Sequence, residues 1–212
     1  MIRTLGLISA LCGLIIVGAY QGTLDAVAAN KRIALERSVF KVMPAAKSIA
    51  EFVATPDGKV AELNGNSPAG AQRFFAAYGA DGKLLGVAAE GSAKGYADSV
   101  RIMFGYDPEG KHITGIGVVA MRETPGIGDK IITDAAFLAN FEALDAKLNA
   151  DLSALANEIR TVKHGTKKDA WQIDAISGAT ITSRAVGKAI NDAAQTLLPK
   201  LVPNLETLRK PA

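Results

Sequence analysis

The first 24 residues carry a hydrophobic pattern unlike that of the rest of the chain. From Thr4 to Leu24 no residue is charged, and apolar side chains would cover every side of a helix. A helix needs about 20 such residues to cross the hydrocarbon core of a bilayer, whereas a helix of a soluble domain normally keeps a polar face. The pattern therefore predicts a transmembrane anchor over residues 1–24, in contact with the lipid bilayer.

A cleaved signal peptide is the alternative for this segment. Ala26-Val27-Ala28 resembles a signal-peptidase site, but the apolar run is longer than the usual core of about 7–15 residues, so a retained anchor is favoured. Basic residues after the span (Lys31, Arg32 and Arg37) would by charge alone favour a cytoplasmic location for the C-terminal side of the chain.

Helical spacing continues beyond the anchor and then gives way to strand patterns. Residues 25–43 read as a helical stalk that stops before Pro44, and residues 44–212 as one domain. Six apolar runs predict strands: Ser48–Val53, Val60–Leu63, Arg73–Tyr78, Leu84–Ala89, Val100–Tyr106 and His112–Met121. Turn signals separate them at Pro56-Asp57-Gly58, Asn64-Gly65-Asn66, Ala80-Asp81-Gly82 and Asp107-Pro108-Glu109-Gly110. Because such turns make hairpins, the sheet should be an antiparallel meander.

Helices are predicted in the C-terminal half. Asp134 is a candidate cap for a helix with the apolar set Phe137, Leu138, Phe141, Leu144 and Leu148. Ser183 is a candidate cap for another, with Val186, Ala189, Ile190, Ala193 and Leu197 on one face. Trp171–Ala175 reads as a short strand before the second helix. The predicted fold class is α+β: a twisted, mainly antiparallel sheet with flanking helices, on a single N-terminal transmembrane helix.

Composition removes several classes of function. With 24 basic and 21 acidic residues among 212, the net charge is only +3, and no basic block of the nucleic-acid type appears. The single cysteine, Cys12, lies in the apolar segment, and the two histidines, His112 and His164, are far apart. We therefore expect neither a disulfide nor a metal site, and no nucleic-acid partner.

The most informative stretch is Ser177-Gly178-Ala179-Thr180-Ile181-Thr182-Ser183, between a predicted strand and a predicted helix. Free N–H groups at a helix start attract phosphate, and Gly178 and Ala179 leave room for a ligand. Asp174 precedes the turn and could orient a hydroxyl. By pattern alone, ordinary turn and cap roles are the commoner explanation. Neither a P-loop nor a nucleophile elbow is present.

Two other glycine-containing segments are candidate walls of a site. In residues 122–130, Pro125-Gly126 indicates a type II turn and Gly128 adds a second flexible point, so the segment is either a plain connection or a wall for a flat ring. Residues 90–96 read as a polar loop after the fourth strand, and a plain connection is favoured there.

These motifs together, behind one membrane span, resemble the membrane-anchored FMN-binding domain family, in particular the G subunits of Rnf electron-transport complexes. The matching stretches are KGYADSVRIMFGYD (94–107), RETPGIGDK (122–130) and DAISGATITSRAV (174–186). The resemblance implies FMN joined by a phosphoester to Thr180, made by a separate flavin transferase with FAD as donor. It assigns cofactor-binding roles to Asp174, Ser177, Gly178, Ala179, Thr182, Ser183, Glu123, Thr124, Pro125, Gly126 and Gly128, with no catalytic residue and no metal.

The function implied is electron transfer within a ferredoxin:NAD⁺ oxidoreductase complex that moves ions across a bacterial cytoplasmic membrane. Its partners would be the other membrane and peripheral subunits, and the flavin domain would lie on the periplasmic side, against the weak charge signal. The alternatives are the related C subunit of a sodium-pumping NADH:quinone reductase, a stand-alone membrane-anchored flavin reductase, and a structural or assembly subunit. The carrier is favoured over the reductase because no histidine or paired-acid constellation suggests a substrate pocket.

Overall fold

A computed structural model describes residues 2–63 and 67–209, and it divides the chain into two compact units, 1–37 and 38–212. The N-terminal unit is helical: α1 spans Ile2–Val42 and has exposed apolar side chains along its first part. Within the described residues, α1 is the one helix long and apolar enough to cross a membrane. The helix ends two residues before Pro44, as predicted.

A seven-stranded antiparallel sheet forms the frame of the second unit, in the order β2-β1-β3-β4-β5-β6-β7. The strands are β1 Ser48–Ala54, β2 Val60–Glu62, β3 Gln72–Tyr78, β4 Leu84–Lys94, β5 Ser99–Asp107, β6 His112–Ala120 and β7 Leu144–Asp145. Neighbours in the chain pair as hairpins from β3 to β6. The predicted α+β class with an antiparallel meander is therefore confirmed.

Helix α4, Thr180–Leu201, packs on β4 and β5 and closes the hydrophobic core. Its inward side chains include Val186, Ile190 and Leu197, all buried against aromatic residues of the sheet such as Phe74 and Phe104. The backbones approach closely at Gly91, where an added Cβ would lie 2.3 Å from the carbonyl oxygen of Ala189. The sheet and α4 are therefore in close backbone contact near the middle of the helix.

Short elements precede and follow α4. Helices α2 (Lys130–Thr133) and α3 (Ala135–Ala139) follow β6, and β8 (Arg160–Val162) pairs in parallel with β9 (Gln172–Asp174). A 3₁₀ turn (Val202–Asn204) and α5 (Leu205–Leu208) follow α4. The strand β9 lies inside the predicted run Trp171–Ala175, but its parallel partner was not predicted.

Three local predictions are wrong. Residues 90–96 are not a loop after β4, because the strand continues to Lys94 and pairs with β5 along this length. Asp134 does cap a helix by accepting from the Phe137 amide, but the helix ends at Ala139, and Leu144 belongs to β7. Asn140 ends the helix, with a side chain that donates to the carbonyls of Ala136 and Phe137.

The third incorrect prediction is that Ser183 caps a helix. Helix α4 begins at Thr180, so Ser183 lies inside the first turn and is fully buried rather than capping. The predicted turn Asn64-Gly65-Asn66 falls outside the described residues.

Candidate functional site

The start of α4 has no side-chain cap. Ala179 occupies the N-cap position, where a serine, threonine, asparagine or aspartate would normally accept a hydrogen bond from the first-turn amides. The first N–H groups of a helix have no acceptor within the helix, and the positive end of the helix dipole lies there. The first turn of α4 is therefore suited to an anionic group from outside the helix.

Gly178 shapes the approach to this helix start. Its φ is +82°, a left-handed conformation that glycine adopts without strain, and an added Cβ would meet no atom within 4 Å. The backbone at Gly178 is thus exposed to a ligand.

The four hydroxyl groups of the segment divide into two pairs. Ser183 Oγ donates to the carbonyl of Ala179 at 2.9 Å and accepts from the amide of Ile176 at 3.1 Å. Thr182 Oγ1 donates to Glu123 Oε2 at 2.7 Å. Among the described residues, the hydroxyls of Ser177 and Thr180 have no recorded partner; Ser177 is exposed and Thr180 half-buried. The buried hydroxyls of Thr182 and Ser183 therefore stabilise the fold, whereas those of Ser177 and Thr180 are available for a reaction.

A cavity of about 500 Å³ lies beside Thr180. Three segments of the chain line it: the turn after β4, the loop after β6 and the first turn of α4. The lining residues are Tyr96, Glu123, Thr124, Ile127, Gly128, Gly178, Ala179, Thr180, Ile181 and Thr182. The cavity is within the range of about 300–1,000 Å³ typical of small-molecule sites.

The loop after β6 turns sharply beside this cavity. The carbonyl of Thr124 accepts from the amides of Ile127 at 3.2 Å and Gly128 at 2.9 Å. Pro125 and Gly126 occupy the central positions, and the φ of Gly126 is +77°, as the predicted type II turn requires. Pro125 and Gly126 do not themselves line the cavity. Pro125 and Gly126 instead form the turn that places Thr124, Ile127 and Gly128 on the cavity wall.

Asp174 and Ser177 lie on a second cavity, of about 430 Å³, with Lys130, Asp134 and His164 also on its wall. Both carboxylate oxygens of Asp174 accept from the amide of Gly165, at 2.8 and 3.0 Å. Asp174 therefore holds the turn after β8, and in this structure it does not touch the Thr180 hydroxyl. Ser183 lines neither cavity.

Sequence reasoning missed three apolar residues on the wall of the cavity beside Thr180. Tyr96, Ile127 and Ile181 expose 68%, 50% and 52% of their surface, which is high for large apolar side chains outside the N-terminal helix. Each of the three lies next to a glycine or a hydroxyl residue in its motif, and this was the sequence signal that could have identified them. They give the cavity a partly apolar wall, which suits a flat aromatic ligand.

The part of the chain that contains this cavity is similar to known proteins. The profile of the FMN-binding domain family matches residues 95–195, which include all the segments that line the cavity beside Thr180. The G subunit of an ion-translocating oxidoreductase complex from Haemophilus influenzae (strain PittEE) is 31% identical over 186 residues, or 86% of this chain and 81% of that protein.

Two further proteins resemble this chain. The G subunit of the Na⁺-translocating ferredoxin:NAD⁺ oxidoreductase complex from Acetobacterium woodii is 34% identical over 116 residues, covering 54% of this chain and 50% of that protein. The crystal structure of NqrC from Shewanella oneidensis superposes with a TM-score of 0.60 at 26% identity, over 85% of this chain and 96% of that one. By its sequence and its fold, the chain belongs to the family of G subunits of ion-translocating oxidoreductase complexes.

Proposed function

We propose that this chain is the FMN-carrying electron-transfer subunit of a membrane-bound ferredoxin:NAD⁺ oxidoreductase complex of the Rnf type, which couples electron flow to ion translocation. The observation that carries the proposal is the unpartnered hydroxyl of Thr180, at an uncapped helix start that borders a cavity of about 500 Å³. Family membership supports the flavin and the multisubunit complex. The name of the A. woodii relative supports the choice of ferredoxin and NAD⁺ as the redox couple.

The residues present fit FMN. The uncapped amides at the start of α4 would receive the phosphate, the open backbone at Gly178 and Ala179 gives it access, and the apolar side chains of the cavity suit an isoalloxazine ring. Glu123, Thr124 and Gly128 would form the opposite wall. When bound, the flavin supplies the electron chemistry, and the protein supplies attachment, orientation and electrostatic environment.

Thr180 is the proposed attachment point. Its Oγ1 would form a bond to the FMN phosphorus of FAD while the bond between that phosphorus and the AMP oxygen breaks. The hydroxyl proton is lost, AMP leaves, and one phosphoester bond replaces one phosphoanhydride bond without oxidation or reduction. Among the described residues, no side chain is recorded in a hydrogen bond with the Thr180 hydroxyl, so none is placed to accept its proton, which supports a separate flavin transferase as the catalyst.

The other candidate residues take supporting roles in this proposal. Pro125 and Gly126 shape the loop, Ser183 and Thr182 hold the first turn of α4, and Asp174 holds the turn after β8. Ser177 is free but lies on the second cavity, so it would not receive the flavin.

The chain is anchored in the membrane through α1, with the boundary between anchor and stalk proposed near residue 24. We further propose that the flavin domain lies on the periplasmic side, as the resemblance to this family implies. The basic residues after the span argue only weakly against it, since long domains translocate largely regardless of flanking charge. Protease added to intact spheroplasts should then digest the domain. Its survival until the membrane is permeabilised would contradict this orientation.

Covalent attachment is tested with the full chain expressed together with a flavin transferase. Wild-type protein should show flavin fluorescence in a denaturing gel and an FMN-sized mass increase on the peptide that contains Thr180. The Thr180→Val variant should lose both, and Ser177→Ala, at the other free hydroxyl, should keep both. Fluorescence retained by Thr180→Val would refute the site, and a wild-type chain without gel-stable flavin would refute covalent attachment.

A turnover assay on the same preparation distinguishes an electron carrier from an enzyme. The flavin-loaded chain should show no sustained turnover with NADH and quinones, because the described residues that line the cavity beside Thr180 include no histidine and no pair of carboxylates. Sustained turnover would favour the stand-alone reductase.

A further inference from the structure

The side chain of Glu123 connects three segments that are distant in sequence. Its Oε1 accepts from the amides of Ala97 and Asp98, at 3.2 and 3.4 Å, and its Oε2 accepts from Thr182 Oγ1 at 2.7 Å. Both oxygens act as acceptors, as those of an ionised carboxylate do. Hydrogen bonds to a charged group are stronger than those between neutral groups. Glu123 thus joins the turn after β4, the loop after β6 and the first turn of α4.

Two glycines pack against this side chain and show how closely it is enclosed. A Cβ added at Gly95 would lie 2.4 Å from Glu123 Oε1. One added at Gly128 would lie 2.7 Å from Glu123 Cβ and 3.2 Å from Thr182 Oγ1. Real Cβ atoms essentially never lie within 3.0 Å of another heavy atom, so a side chain at Gly128 would collide with Glu123, and one at Gly95 would collide with both Glu123 and the carbonyl oxygen of Asp98, 2.8 Å away. Neither glycine has a positive φ, so close packing rather than turn geometry requires them.

We propose that Glu123 is a positioning residue: its carboxylate holds together the three segments that enclose the cavity beside Thr180, and its charge disfavours reduction of a flavin bound there. The second part rests on the proposed function. The three segments joined by Glu123 are those that line the cavity, and Glu123 itself lies on the cavity wall. Loss of its hydrogen bonds would free the first turn of α4 from the opposite wall.

The effect of charge follows from Coulomb's law. Reduction adds electrons to the bound ring, and a fixed negative charge on a partly water-excluded wall makes this addition less favourable. Removing the charge while keeping the shape should therefore raise the midpoint potential. Gln is suited to this test, because its Oε1 can accept from Ala97 and Asp98 while its amide nitrogen donates to Thr182 Oγ1.

The positioning role is tested in the flavin-free full chain, by hydrogen exchange of the Ala97 and Asp98 amides. In Glu123→Ala both amides should exchange about tenfold faster, the change expected for the loss of a hydrogen bond of ordinary strength. In Glu123→Gln and Thr182→Val both should stay near the wild-type rate, since Oε1 keeps its contacts. Glu109→Ala is the matched control, because Glu109 is exposed at the opposite end of the β5–β6 hairpin.

The electrostatic role is tested in the flavin-loaded full chain by redox titration. Glu123→Gln should raise the midpoint potential, and Glu109→Gln should leave it unchanged. Unchanged exchange at Ala97 and Asp98 in Glu123→Ala would overturn the positioning role. An unchanged or lowered potential in a flavin-loaded Glu123→Gln chain would overturn the electrostatic role.

The outcomes separate this proposal from the function on which it rests. If the wild-type chain carries no gel-stable flavin, the covalent site fails, but hydrogen exchange still decides the positioning role, and the titration is run with FMN added in solution. If Glu123→Ala does not fold, the exchange comparison moves to Glu123→Asp. Its side chain is one methylene shorter, so both amides should exchange faster than in Glu123→Gln, and equal rates would overturn the positioning role.

Discussion

Replacing Ser183 by alanine tests whether the first turn of α4 is held by the serine hydroxyl. Ser183 is fully buried, and its Oγ joins the carbonyl of Ala179 to the amide of Ile176. The substitution removes one oxygen and introduces no new contact. We expect the free energy of unfolding to fall, because Ile176 lies in the buried turn before the helix, where its amide would be left without an acceptor.

The magnitude comes from counting what each partner loses. The Ile176 N–H loses the acceptor that the structure gives it, and leaving a buried donor unsatisfied costs about 1–3 kcal/mol. The Ala179 carbonyl keeps the hydrogen bond from the Ser183 backbone amide at 2.9 Å, so its loss is small. Alanine regains about 0.5 kcal/mol of helix propensity. The net loss should be about 0.5–2.5 kcal/mol, or about 1–10 °C in Tm for a chain of this size.

Urea unfolding of the flavin-free chain in detergent measures this difference, with the fluorescence of Trp171, the only tryptophan, as the probe. Ser177→Ala is the matched control, because Ser177 is exposed and its hydroxyl has no recorded partner; it should unfold like the wild type. If Ser183→Ala were as stable as Ser177→Ala, the Ser183 hydroxyl would not hold the turn, and the division of hydroxyls into committed and free pairs would be wrong.

Two further predictions concern the sheet. Burial raises the pKa of Tyr106 to about 12, so the folded state favours the neutral phenol. The free energy of unfolding should be level below about pH 10 and fall by about 2 kcal/mol as the pH rises towards 12, and Tyr106→Phe should flatten this fall in urea titrations over that range. Gly91→Ala should lower the free energy of unfolding by about 1–3 kcal/mol, because the added methyl group would force α4 away from β4. Gly115→Ala is the control, since there is open space at its Cβ, and it should not lower the free energy of unfolding. Equal urea midpoints for the two variants would refute the close approach.

The sheet could be predicted from sequence because its signals are local. Asp57-Gly58 and Asp81-Gly82 form the turns they indicate, and both glycines adopt positive φ. The pairing of β8 with β9 could not be predicted, since it joins strands ten residues apart in the chain by a parallel contact that no turn residue signals. Leu144 was assigned to a helix for a related reason: apolar spacing does not distinguish a helical face from a strand that pairs with Ile113 at the edge of a sheet.

The candidate site likewise contains some features that could be predicted from sequence and others that could not. The free backbone at Gly178 and the turn at Pro125-Gly126 follow from local residue types, and sequence alone indicated both. The contacts of Glu123 are with residues 25, 26 and 59 positions away, so its place in the structure depends on the folded sheet. From sequence, Gly128 was interpreted as a second flexible point in a segment that is either a plain connection or a wall for a flat ring. In the structure it lines the cavity, but the contact that requires a glycine there is with Glu123.

The different surroundings of the four hydroxyls would explain why the proposed attachment of FMN is confined to one residue. A transferase that recognised only an exposed hydroxyl could use Ser177 or Thr180, since both are free of partners in the described structure. Of the two, Thr180 alone borders the cavity that suits a flavin ring, and it stands at the uncapped start of a 22-residue helix. The buried face of that helix packs on β4 and β5, so a group attached at Thr180 is tied to a rigid element rather than a loop. The proposed attachment at Thr180 would present the ring from a fixed position, and Ser177, on the exposed turn before the helix, would not provide this.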